Sequence, residues 1–211
     1  MIRILLIGPP GAGKGTQATY IAKKFGIVSI STGDIFRENV KNQTRLGRIA
    51  ESYLDAGQFV PDSVTNEMVR GRLGQNDAHN GFLLDGYPRT LGQVDFLDEV
   101  LASTGQELDL VLQLTAETEE LVQRLLLRAK LENRSDDTAE VIRNRMALYF
   151  NETTPVTSRY GERGILTKVE GVGSISDVSA RVSTALDIAL GSSSRHIAVS
   201  AGDSFEWALQ L

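Results

Sequence analysis

Apolar residues fall in short runs separated by longer stretches of helical spacing, an order that predicts strands alternating with helices. Ile2-Arg3-Ile4-Leu5-Leu6-Ile7 is almost uninterrupted and rich in β-branched residues, as a strand covered on both faces must be. Shorter runs follow at Ile27 to Ile30, Phe82 to Leu84, Leu110 to Leu114 and Ile165 to Val169. Between them, Lys14 to Phe25, Leu91 to Leu101, Thr118 to Ala129, Ala139 to Tyr160 and Ser176 to Leu190 carry apolar side chains at helical spacing. The alternation predicts an α/β fold, a five-stranded parallel sheet wound on both faces by helices.

Two stretches break the alternation. From Ser31 to about Leu73 the pattern is helical with no good strand, opens on the capping-type residues Ser31 and Thr32, and is punctuated at Gly47, Gly57 and Pro61. It reads as a helical insertion standing off the sheet edge. Ala129 to Asp137 is short and polar and interrupts two helices, as a small mobile flap would. Gly191-Ser192-Ser193-Ser194-Arg195 reads as a flexible linker to a last stretch, His196 to Leu211. That tail is either disordered, packed on the surface or a segment for a partner.

Composition narrows the chemistry. The chain has 211 residues, 41% hydrophobic and 23% charged, enough for one sizeable core. A formal charge of −5 leaves no global positive field for nucleic acid or an anionic membrane, so an anionic ligand must meet clustered cations. The absence of cysteine removes disulfides, thiolate chemistry and cysteine-based zinc sites. Ile4 to Ile7 is too short for a signal sequence or a span, and a cytoplasmic protein is expected, without nucleic-acid or membrane partners.

Gly8-Pro9-Pro10-Gly11-Ala12-Gly13-Lys14-Gly15-Thr16 carries the spaced glycines and lysine of a phosphate-binding loop, directly after the first strand and before a helix. Backbone N–H groups of Gly11, Ala12, Gly13, Gly15 and Thr16 would converge on phosphate oxygens, helped by the helix N-terminus, with Lys14 reaching the β- and γ-phosphates. The departure is Gly15, where the general motif has a hydroxyl residue; Thr16 either takes over the metal-side role or does not. Phe82-Leu83-Leu84-Asp85 is a strand ending in a carboxylate, which makes Asp85 the candidate for holding Mg²⁺ through water. The loop alone suits a GTPase, an ATPase or a small-molecule kinase.

Ser31-Thr32-Gly33-Asp34-Ile35-Phe36-Arg37 and Asp85-Gly86-Tyr87-Pro88-Arg89-Thr90, with Gln93 beyond, are more specific. With them the chain, from Ile2 to about Leu190, resembles the nucleoside monophosphate kinases and within them the adenylate kinases. The resemblance implies a P-loop kinase fold over 1–190, with a core (1–30, 61–127, 138–190), an AMP-binding insertion (31–60) and a short lid (128–137), leaving 191–211 unmatched. It implies that Arg37 and Arg89 clamp the AMP phosphate, that Thr32 and Gln93 face its adenine, and that Gln58, Phe59 and Val60 line the pocket with Gly86, Tyr87 and Pro88. Arg124 and Arg128, four residues apart, share a helix face, while Arg134 before Asp136-Asp137 and Arg145 match the lid's two phosphate-facing arginines. Gly173 corresponds to the backbone site at the ATP base. The lid is the short form without the metal ligands of the long form, so Mg²⁺ with ATP is expected and zinc is not. Leu127 replaces a glycine common before the first lid arginine.

The implied reaction is reversible transfer from Mg-ATP to AMP, giving two ADP and serving adenine nucleotide homeostasis, by a monomer whose insertion and lid close over the substrates. An AMP phosphate, with a second pKa of about 6, is already anionic at neutral pH, so cations rather than a general base are what the reaction needs. The alternatives are a UMP/CMP kinase, which shares the loop and the arginines, and a nucleotide-binding regulator without turnover.

Overall fold

A computed structural model describes residues 1–132 and 138–202, with side chains at 1–130 and 138–191. Strands β1 (Ile2–Ile7), β2 (Val28–Ser31), β3 (Gly81–Asp85), β4 (Leu110–Thr115) and β5 (Leu166–Glu170) form one sheet of order β2-β3-β1-β4-β5. Every pairing is parallel; Ile4 on the central strand lies between Leu83 and Leu110.

The near-continuous apolar sequence of β1 is explained by what covers it. Ile4 and Leu6 point to one face, where they pack with Ala18 and Ile21 of α1 (Lys14–Phe25) and Val182 and Leu186 of α9 (Ile175–Gly202). Leu5 and Ile7 point to the other, against Val94 and Leu97 of α5 (Leu91–Ala102) and Val156 and Tyr160 of α8 (Thr154–Glu162). Ile4, Leu5 and Leu6 are fully buried, and each such side chain contributes about 1.5–3 kcal/mol relative to exposure. The five strands and the α1 helix stand where the sequence pattern predicts them, within a residue or two.

The insertion is α2 (Thr32–Lys41), α3 (Arg45–Asp55) and the chain leading to α4 (Asp62–Leu73), and it closes a small core of its own around Phe36, Ala50 and Val60. Ser31 caps α2, accepting from the Asp34 N–H at 3.2 Å. Gly47 is not the break the sequence suggests: it lies inside α3, and the turn falls at residues 42–44, capped by Thr44, which accepts from the Gly47 N–H at 3.0 Å. Glycine is required at 47 for proximity, since a Cβ there would overlap the Asn39 carbonyl of α2.

Two other expectations change. The stretch Ala139 to Tyr160 is not one helix: α7 (Ala139–Leu148) passes through a π turn at Tyr149–Thr153 into α8. Helix α9 runs on to Gly202, through the Gly191 to Arg195 stretch read as a linker. No proline interrupts it, and extending an existing helix by a turn needs no new nucleus. Remaining helix α6 (Thr118–Glu132) leads into the 128–137 stretch expected to form a lid, of which residues 133–137 lie outside the described residues. None of the helices among the described residues is long and apolar enough to cross a membrane.

Candidate active site

The carboxyl ends of β1 and β3, the phosphate loop and the insertion enclose a cleft of about 570 Å³. Parallel strands make this position general, because the chain leaves every strand at the same edge and the following helices present their N-termini there. At the loop, Gly11 and Gly13 adopt φ of 83° and 86°, which a side chain would resist. Gly8 lies so close to β4 that a Cβ would stand 2.8 Å from the Leu114 carbonyl oxygen. A Cβ at Gly15 would meet nothing within 4 Å, so the backbone does not demand glycine there.

Lys14 arches over the loop, its Nζ donating to the carbonyls of Gly8 at 2.8 Å and Pro9 at 2.9 Å. Burial lowers its pKa to about 8; Asp85 opposes the shift, while Arg89, Arg145 and Arg128 add to it by repulsion. Asp85 ends β3 almost fully buried, and burial raises its pKa against the pull of Lys14 and Arg89. Its Oδ1 has no hydrogen-bond partner among the described residues. Burial likewise lowers Arg89 to about 10, with Arg145 and Arg37 repelling it, so the guanidinium remains cationic at neutral pH. Lys14 thus feels the repulsion of Arg89, Arg145 and Arg128, and Arg89 that of Arg145 and Arg37, which a polyanion bound between them would relieve.

The strand-end turn fixes Arg89. Its Nε donates to the Gly86 carbonyl at 2.7 Å, its carbonyl accepts from Thr153 Oγ1 at 3.1 Å, and its guanidinium stands over the Phe59 ring at 5.2 Å. At Gly86, with φ of 81°, a Cβ would press on Arg89 and Thr32, each at 3.0 Å. Thr32 is buried and donates to the Gly86 carbonyl at 3.0 Å. Arg37 is ion-paired to Asp34 one turn earlier. Arg124 donates to the Gly171 carbonyl at 2.8 Å and pairs with Glu120 at 2.5 Å.

Gln93 has a fully assigned amide. Its Oε1 accepts from the Arg89 backbone N–H at 2.7 Å, and its Nε2 donates to Asp62 Oδ1 at 2.6 Å.

A family model described as adenylate kinase matches residues 6–165. The chain belongs to the adenylate kinase family. An adenylate kinase of Pseudarthrobacter chlorophenolicus is 60% identical over 189 residues, which make up 90% of this chain and 98% of that one. Those of Renibacterium salmoninarum and Kocuria rhizophila are 58% and 57% identical over 187 residues, covering 89% of this chain and 97% and 100% of theirs. Adenylate kinases are ATP:AMP phosphotransferases, so the chain is an enzyme acting on adenine nucleotides.

Most residues that the sequence singles out meet in this cleft. Lys14, Gly15 and Thr16 line one end; Thr32, Arg37, Gln58, Phe59, Val60, Tyr87 and Gln93 line the other; Asp85, Arg89, Arg124, Arg128 and Arg145 lie along it. Ala12 is buried in the core beneath the loop, and its backbone N–H donates to the Pro9 carbonyl at 3.2 Å. Gly173, with φ of 109°, sits in the exposed loop after β5 and outside the cleft lining. Arg134 lies outside the described residues. Sequence reasoning missed Thr153, which lines the cleft, and Asp62 and Gly171, which touch the site only through other residues; none of the three carries a motif.

Proposed function

We propose that the protein catalyses reversible phosphoryl transfer from Mg-ATP to AMP, giving two ADP, in the cleft between the phosphate loop and the helical insertion. The observation that carries this reading is the convergence of Lys14, Arg37, Arg89, Arg128 and Arg145 on one cleft, where burial and the neighbouring cations lower the pKa values of Lys14 and Arg89. Substrates carrying several negative charges each are what such a cleft stabilises. A transferring phosphoryl group spreads charge over its oxygens, and fixed cations in a low-dielectric site stabilise that charge more than water can.

Lys14 and the loop N–H groups hold the donor's phosphates, and Arg37 and Arg89 hold the acceptor's. Arg128 and Arg145, with Arg124 and Arg134, bind the charge between them. Gln93 and Thr32, beside Val60, meet the acceptor base. Fixing both substrates in line supplies much of the rate, because it converts an encounter in solution into a positioned step. Closure of the insertion and the lid excludes water, which would otherwise take the phosphoryl group.

Mg²⁺ fits the residues present. Asp85 offers a buried carboxylate oxygen without a partner beside Lys14, and among the described residues no group of three or more His, Cys, Asp or Glu forms a cage. That suits a cation that keeps its waters and the phosphate oxygens, which Asp85 would hold through water. Bound there, Mg²⁺ would neutralise charge on the donor's phosphates. The site would work in a cytoplasmic monomer that maintains adenine nucleotide balance.

A coupled assay tests the reading. With Mg²⁺, ATP and AMP the protein is expected to form ADP, and Lys14→Ala to lose this activity while keeping its circular dichroism spectrum. ADP formation unchanged in Lys14→Ala would overturn it.

A further inference from the structure

Asp62 belongs to no motif and does not line the cleft, yet its carboxylate holds two groups at the start of α5. Oδ1 accepts from Gln93 Nε2 at 2.6 Å and Oδ2 accepts from Thr90 Oγ1 at 2.7 Å. The same Thr90 oxygen caps α5 by accepting from the Gln93 N–H at 3.2 Å. Nothing crowds the carboxylate from above, because residue 92 is glycine and a Cβ there would stand 3.3 Å from Oδ2.

A glutamine amide normally reads either way round, since rotation by 180° exchanges a donor for an acceptor at little cost. Here it cannot. On one side stands the Arg89 backbone N–H, which only donates, at 2.7 Å; on the other stands the Asp62 carboxylate, which accepts, at 2.6 Å. Flipping the buried amide would set N–H against N–H and oxygen against carboxylate. One N–H of Nε2 and one lone pair of Oε1 remain for a ligand, in a fixed order.

That order decides which purine is read. Adenine presents a donor at its 6-position beside a ring acceptor, and a 6-oxopurine presents an acceptor at the same place beside a ring donor. An amide held in one orientation pairs with the first and opposes the second; an amide free to flip pairs with both. We infer that Asp62 is a specificity-determining positioning residue: with the Arg89 backbone N–H as the other anchor, it locks the Gln93 amide in the orientation that accepts a 6-aminopurine monophosphate and rejects a 6-oxopurine monophosphate, and its loss leaves the amide only one of its two anchors. The inference rests on the reading of Gln93 as the group that meets the acceptor base.

The test compares AMP with inosine monophosphate, which differs in the 6-position pattern, as acceptors with saturating Mg-ATP. Asp62→Ala is expected to lower the AMP-to-IMP ratio of kcat/KM at least about tenfold, the scale of leaving a buried polar group wrongly paired. KM for ATP should stay within about twofold of the parent value, the ordinary spread of context effects at a distant site. Asp62→Asn, which keeps an oxygen opposite Nε2 and turns its N–H₂ to Thr90, is expected to retain the preference. In a Gln93→Leu background, Asp62→Ala should change the ratio no further. Thr90→Val, which removes the anchor of Oδ2, should shift it in the same direction by a smaller factor and serves if Asp62→Ala does not fold.

An unchanged ratio in the folded Asp62→Ala protein, or in Thr90→Val in its stead, would overturn the inference. So would an equal shift in the Gln93→Leu background, since Asp62 would then act by holding α4 to α5, a junction that the Tyr87 hydroxyl also bridges, at 2.8 Å from Asn66 Oδ1 and 3.2 Å from the Gln93 carbonyl. If Gln93→Leu alone leaves the ratio intact, the base-site reading fails first and this inference with it, a result distinct from failure of Asp62 alone.

Discussion

Gln93 Oε1 accepts from the Arg89 backbone N–H at 2.7 Å, which ties a cleft cation to the residue that faces the proposed base pocket. The short turn between β3 and α5 sets both at once. The Arg89 fork is held at the Gly86 carbonyl and against Phe59, so a positive charge alone does not replace it. Arg89→Lys is expected to lower kcat with ATP and AMP by about 10²-fold, the effect of one lost transition-state donor. Steady-state kinetics with a matched thermal melt check this. A kcat within threefold of the parent would show that charge, not the fork, is what matters.

Close contact rather than flexibility explains Gly47. Alanine would improve the α3 helix by about 1 kcal/mol, but its Cβ would overlap the Asn39 carbonyl and stand 2.6 Å from the Val40 nitrogen, both backbone of α2. Overpacking of this kind costs about 1–3 kcal/mol and more where backbone must move. The overlap wins, and Gly47→Ala is expected to destabilise by about 2 kcal/mol net, read by urea unfolding. A stabilised variant would mean that α2 and α3 yield easily.

Tyr160 has the opposite fault. Its hydroxyl is buried without a hydrogen-bond partner among the described residues, and burial pushes its pKa above the phenolic range. Removing an unpaired buried hydroxyl relieves its desolvation and leaves the ring packed below Arg163, 5.3 Å from the centroid. Tyr160→Phe is expected to be neutral or stabilising by about 1 kcal/mol. A loss above that size would reveal a partner for the hydroxyl in solution.

Legibility in the sequence followed the range of the forces involved. The β1–loop–α1 unit could be read to the residue because a doubly buried strand, positive-φ glycines and a helix start are all local signals. The π turn at Tyr149–Thr153 could not, since one extra residue per turn still leaves Tyr149, Val156 and Tyr160 buried and the apolar spacing nearly helical. Gly47 looked like punctuation because glycine for closeness and glycine for a turn are written alike. Asp62 was invisible for another reason: its partner Gln93 is 31 residues away, and only the packing of α4 on α5 joins them. The cleft's arginines carried a family motif, whereas the groups that orient them, such as Thr153 and Gly171, act through single contacts that no spacing marks.

The most direct measurement offers purified protein Mg-ATP with AMP, UMP, CMP and GMP in parallel and compares kcat/KM for nucleoside diphosphate formation. AMP is expected to lead each of the others by at least about 10²-fold, the discrimination of a site that pairs a polar base edge. Equal use of UMP or CMP, or no turnover with AMP, would contradict the assignment of this cleft to transfer between ATP and AMP.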